Sequence, residues 1–124
     1  MGIVRTFEDL ECWKKGTRLR REIAITIKQY PDYEKYGIVS QMRRSSRSIT
    51  HNISEGYGRY HYKENVQFCR TARGSIYELL DQIIVSKDEG YIDLKRYEEL
   101  RLMITDCTKV LNGYINYLIK AKDK

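Results

Sequence analysis

The chain has 124 residues, a net charge of +6, 41% hydrophobic and 32% charged residues, and a single proline. That length fits one four-helix-sized domain, residues 1–124, with a core that needs no staples. No run of about 18 apolar residues exists to span a bilayer, and MGIVRTFEDL has no apolar signal region, so no membrane contact and a cytoplasmic setting are expected.

The charge is unevenly spread. Residues 1–74 carry 15 Lys/Arg against 8 Asp/Glu, whereas residues 75–124 carry 8 against 9. A basic half invites an anionic partner, with nucleic acid the first candidate. Three cysteines, Cys12, Cys69 and Cys107, are odd in number and far apart. They read as buried thiols in a reducing compartment rather than a disulfide framework.

Periodicity predicts four helices and no strand. Gly2 and Thr6 match a short acylation pattern, which is read as chance because no polybasic second signal adjoins it. The first helix is expected from near Thr6, where Thr6 and Asp9 resemble a capping box, to Tyr30, where Pro31 stops it. Arg20 falls on the line of Trp13, Thr17, Ala24 and Ile27, which is an odd place for a guanidinium. A half-buried Arg needs a carboxylate, and Glu55 or Glu78 is the expected partner. Lys14, Lys15, Arg18 and Arg21 face the other way and form a cationic patch.

The second helix is expected from Ile38–Ser40 to Gly56 or Gly58. At 100° per residue, Ile38, Ser46, Ile49, Ile53 and Gly56 gather around Met42 as a core face. Gln41, Ser45, Ser48, Asn52 and Glu55 run up one side as a polar strip. Arg43, Arg44, Arg47 and His51 cluster outside. Such a strip at the edge of a core needs partners, and Ser75 and Glu78 of the third helix could bond across to Ser48 or Asn52. Arg20, Ser48, Asn52, Glu55, Ser75 and Glu78 are therefore expected to form a structural seam.

The linker YGRYHYK alternates Tyr57, Tyr60 and Tyr62 with Arg59, His61 and Lys63. Rings that stack on bases beside cations that meet phosphates would suit a single strand; the same tyrosines could instead pin the linker to the bundle end. The third helix is expected over about Lys63–Asp88, capped by Gly90. The fourth starts at the N-cap Asp93 and reaches about Lys120. Its stripe is Tyr97, Leu100, Ile104, Cys107, Leu111, Tyr114 and Leu118, and Met103, Val110 and Tyr117 widen it, as for a helix with a second neighbour in another subunit. Helices of this length with short connections imply an antiparallel up-down four-helix bundle.

The sequence carries no catalytic signature. Neither His51 nor His61 follows a Glu at the di-iron spacing. No zinc spacing, dinucleotide fingerprint or phosphate loop occurs, so no metal and no cofactor are expected. Ser48, His51 and Glu55 lie on one helix and point outward rather than converging as a triad.

FEDLECW, YPDYEKYGIVSQMRRSSRSITHNISEGYGR, FCRTARGSIYELLDQI and GYI together resemble the 23S rRNA intervening-sequence protein family over nearly the whole chain. Gln41-Met42-Arg43-Arg44, Ser48-Ile49, Asn52-Ile53, Glu55-Gly56, Arg59, Gly74-Ser75 and Glu78-Leu79 are its most specific part. Ser45 departs from it, where a small apolar residue would be expected. The resemblance implies a bacterial four-helix bundle assembled as a ring, a homopentamer first, similar in fold to the accessory variability determinant of diversity-generating retroelements. It implies no catalytic residue.

The expected function is non-enzymatic self-assembly with RNA or DNA binding. Lys14, Lys15, Arg18, Arg21, Arg43, Arg44, Arg47, Arg59, Tyr60, Tyr62 and Lys63 would make the contacts. The alternatives are a protein-interaction adaptor, for a reverse transcriptase or a ribosome-associated factor, and a nuclease using Glu55 and His51.

Overall fold

The computed structural model describes residues 3–122, and Gly2 of the acylation-like pattern lies outside them. Four helices account for most of these residues: α1 Glu11–Thr26, α2 Ile38–Gly58, α3 Tyr62–Asp88 and α4 Leu94–Lys122. No strand occurs among the described residues. No described helix is long and apolar enough to cross a membrane.

The first helix is shorter than its periodicity suggests. The Thr6–Asp9 capping box exists, but it caps a separate 3-10 turn, Phe7–Asp9. Leu10 then adopts an extended backbone and buries its side chain before α1 begins. At the other end, α1 gives way after Thr26 to a 3-10 turn, Ile27–Gln29, and Tyr30 is extended. Proline disfavours the α region in the residue before it, so the helix tightens before Pro31 instead of running up to it.

The remaining boundaries follow local chemistry. Ile38 N–H donates to the Glu34 carboxylate, so a side chain from the loop satisfies an amide at the start of α2. Gly90 takes φ +78° just past α3, a left-handed conformation that suits a residue without Cβ. Asp93 Oδ1 accepts from Arg96 N–H at 2.8 Å and caps α4.

Each helix packs on the next in the chain, and α1 also packs on α4. Met42, Ile49 and Ile53 of α2, Ile76, Leu79 and Ile83 of α3, and Leu100 and Leu111 of α4 are sealed in one core with Leu19 and Ile23 of α1. Burying side chains of this size stabilises by roughly 1.5–3 kcal/mol each relative to exposure. The stripe of α4 differs from expectation at one step: Ile115 is buried, and Tyr114 beside it is only half-buried. The three thiols lie in this core, unpaired and at most 1% exposed. Burial pushes each of them up to about 12.

Residue pairs fix the levels at which helices meet. Gly16 abuts Thr50 and Ile49. Ser45 meets Glu78 and Ser48 meets Ser75. Arg73 meets Asn112, and Arg96 meets Glu22 and Thr26.

Candidate nucleic-acid interface and the seam behind it

The polar strip of α2 faces α3. Ser45 Oγ donates to Glu78 Oε1 at 2.6 Å, and the Ser48 and Ser75 hydroxyls lie 2.9 Å apart. Asn52 Nδ2 donates to the Ser48 carbonyl at 2.8 Å and to Ser48 Oγ at 2.9 Å. Small residues let the two helices approach. A Cβ on Gly56 would lie 2.7 Å from Asn65 Oδ1 and 2.8 Å from Phe68 Cβ. Asn65 continues the polar line into the core, donating to Tyr114 Oη at 3.1 Å. Ser45, the position departing from the family pattern, is thus a working member of the seam.

Two residues expected in that seam lie elsewhere. Glu55 turns outward and pairs with Arg59 at 3.3 Å, with His51 3.9 Å away. The local pair one helical turn along wins because it needs no reach across the groove. Arg20 reaches neither Glu55 nor Glu78, and its Nε is buried with no hydrogen-bond partner. Ser48, His51 and Glu55 form no triad: the Ser48 hydroxyl is spent on Ser75, whereas His51 is exposed.

The outer cationic faces are where the helical angles put them. Lys14, Arg18 and Arg21 of α1 are exposed, as are Arg44 and Arg47 of α2, and Lys15 and Arg43 are half-buried. Lys14 forms an ion pair with Glu11 at 3.5 Å. The other six have no ion pair among the described residues. Opposite charge is scarce because α1 and α2 carry only Glu11, Glu22 and Glu55, and Glu22 is held by Arg96 at 2.9 Å.

The α2–α3 connection is partly rearranged from expectation. Arg59 is not a free cation. It is paired with Glu55, approaches Glu64 at 3.9 Å and lies over the Phe68 ring at 5.1 Å. Tyr57 is half-buried against the core, the pinning role. Tyr60 is 87% exposed at φ +59°, and Tyr62 is 47% exposed at the start of α3. Lys63 is exposed beside them.

Two clusters had no signal in the sequence. The Arg96 guanidinium donates to Glu22 and Thr26, tying the start of α4 to the end of α1. Tyr91 Oη donates to Glu34 Oε2 at 2.7 Å and closes the loop end. Their members lie 57 to 74 residues apart, so no periodic pattern links them.

An all-α fold of four packed helices, with a polar seam inside and unmatched cations outside, defines a helical-bundle protein. Residues 8–113 match the family model described as 23S rRNA-intervening sequence protein, and the chain belongs to that family. No curated protein matches the chain.

Proposed function

We propose that this protein is a non-enzymatic, up-down four-helix bundle that assembles into a ring, five-fold first, and binds RNA or DNA through the outer faces of α1 and α2. The observation that carries this reading is the set of cations on those faces, Arg18, Arg21, Arg43, Arg44 and Arg47 with Lys15, none of them ion-paired among the described residues. Phosphate contacts of this kind give affinity without sequence readout. Tyr60 and Tyr62 would add stacking for unpaired bases. The pairs Ser45–Glu78, Ser48–Ser75 and Arg73–Asn112, with Arg96 on Glu22, support alternating helix direction.

Fluorescence anisotropy with a labelled oligonucleotide across a salt series tests it. Log affinity should fall with log salt at a slope of roughly −0.7 per phosphate contact for a single strand. Joint replacement of Arg43 and Arg47 by Gln should flatten that slope and weaken all base sequences alike. No binding at low salt would reject the reading.

The outer side of α3 and α4 favours a protein contact as well. Tyr77, Leu102 and Tyr117 are 57%, 65% and 61% exposed. We take this side as the face for other copies of the chain. An adaptor role toward a reverse transcriptase or a ribosome-associated factor would use the same side. That role predicts one protein retained in a pull-down after nuclease treatment.

A further inference from the structure

The outward side of α2 is a continuous lane with an exposed tyrosine beyond each end. Ser40, Arg44, Arg47, His51, Ser54 and Gly58 follow one another at steps of four and three residues, so they stand in one line along the helix. That line is opposite the core face of Met42, Ile49 and Ile53, and all of it is exposed except Ser54, which is half-buried. A Cβ at Gly58 would meet no neighbour within 4 Å, so the lane is open at its end. The one carboxylate of α2, Glu55, is held by Arg59 at 3.3 Å. Arg44 and Arg47 thus face solvent with no free opposite charge on their own helix.

The two ends match. Tyr36 stands two residues before α2 and is 88% exposed, and Tyr60 stands two residues after it and is 87% exposed. They are the two most exposed aromatic rings among the described residues. Each has a cation near it in the chain. Lys35 Nζ lies 5.4 Å from the centre of the Tyr36 ring, and the exposed Lys63 follows Tyr60 by three residues. Neither ring is buried by its own chain. Tyr60 is also held at φ +59°, a strained backbone of the kind that collects at binding sites.

We propose that α2 is the track of one unpaired polynucleotide strand, with a base stacked on Tyr36 at one end, a base stacked on Tyr60 at the other, and backbone phosphates on Arg44 and Arg47 between them. The occupant rests on the nucleic-acid reading above; the track adds Tyr36 as an anchor and gives the site a length. A duplex does not suit it, because paired bases are stacked on one another and offer the rings no free face. The 21 residues of α2 span about 31 Å at roughly 1.5 Å per residue. At roughly 3.4 Å of axis per phosphate in a stacked strand, that length takes about nine nucleotides, and an extended strand fewer.

Anisotropy at low salt with fluorescein-labelled oligouridylates of 4 and 12 nucleotides tests the track. The 12-mer is long enough to reach both rings, and the 4-mer reaches one. Tyr36→Ala and Tyr60→Ala should each weaken the 12-mer at least about fivefold, the loss of one stacked base. Each should weaken the 4-mer no more than about twofold, because the other end still binds it. Tyr36→Phe and Tyr60→Phe keep the ring and should bind both lengths as the wild type does. Joint replacement of Arg44 and Arg47 by Gln should flatten the salt slope of the 12-mer by about 1.4, two contacts at roughly 0.7 each. Wild-type affinity of Tyr36→Ala for the 12-mer, beside a weakened Tyr60→Ala, overturns the track and leaves the proposed function standing. Equal losses with both lengths do the same. No binding of the 12-mer by the wild type overturns the track and the proposed function together.

Discussion

A φ of +59° at Tyr60 places a bulky side chain in the left-handed region, which costs about 1–2 kcal/mol for a residue with a Cβ. The ring is 87% exposed, so packing does not offset that cost within one chain. Tyr60→Gly should therefore raise stability by about 1 kcal/mol in urea unfolding. The same change should weaken single-strand binding in anisotropy, because the exposed ring is lost. A gain in stability with unchanged binding would make Tyr60 a strained linker residue and nothing more. Asn52 represents the opposite case, a side chain whose amide nitrogen is held on both sides. Its amide nitrogen donates twice to Ser48, at 2.8 and 2.9 Å. Asn52→Ala should cost about 1–3 kcal/mol, and an unchanged thermal melt would mean that water takes its place. The thiols of Cys12, Cys69 and Cys107 set a pH limit. Their ordinary value is 9.0, and burial raises each to about 12. The unfolded chain releases these protons first. Their contribution to stability is thus complete below pH 9 and is lost as pH rises toward 12. Urea midpoints should fall across that window, and native protein at pH 8 should resist iodoacetamide until denaturant is added.

At the scale of elements, the seam between α2 and α3 was legible because it obeys a period. Ser48 and Ser75 each sit at the edge of an apolar stripe, so helical angle alone brings them together. Arg20 and Glu55 were misassigned because angle gives the direction of Cβ, not the destination of a long flexible side chain. Arg59, one turn from Glu55, wins by proximity. Helix ends were read where a single residue decides them, as at Asp93 and Gly90, and misread at the start of α1, where Leu10 breaks a continuous-looking pattern by turning extended. The Arg96–Glu22–Thr26 tie was invisible because it depends on the tertiary fold. The tight crossing of α2 and α3 carries its own test. A methyl at Gly56 would lie within 2.8 Å of the Phe68 Cβ, which belongs to the α3 framework and not to a mobile side-chain tip. Gly56→Ala should destabilise by about 1–3 kcal/mol through overpacking, read as a lowered urea midpoint with unchanged m-value. A midpoint equal to wild type would mean that the helices separate at little cost.

For the whole molecule, the two halves of the bundle differ in their balance of charge and exposed apolar surface. Lys and Arg outnumber carboxylates eight to three on α1 and α2, while Tyr77, Leu102 and Tyr117, among the large exposed apolar side chains, lie on α3 and α4. Exposed apolar residues scattered singly need no explanation, but here Tyr77 belongs to a groove lined also by Leu80 and Ile104, with Arg101 and Lys109 among its polar members. Burying that side against other copies would leave the α1–α2 faces pointing outward, and a ring would repeat each cationic patch around its rim. Weak phosphate contacts then become multivalent, with effective concentration replacing intrinsic affinity. Multi-angle light scattering on purified protein should give a mass near five times the 14.8 kDa chain. Leu102→Glu combined with Tyr117→Glu should shift that mass to the monomer while circular dichroism stays helical, since neither side chain belongs to the buried core. The monomeric variant should keep its per-site phosphate contacts but lose at least tenfold in affinity for long single strands relative to short ones, the signature of lost multivalency. A wild-type monomer at micromolar concentration would reject the ring. An oligomer that survives both glutamates would move its interface away from α3 and α4.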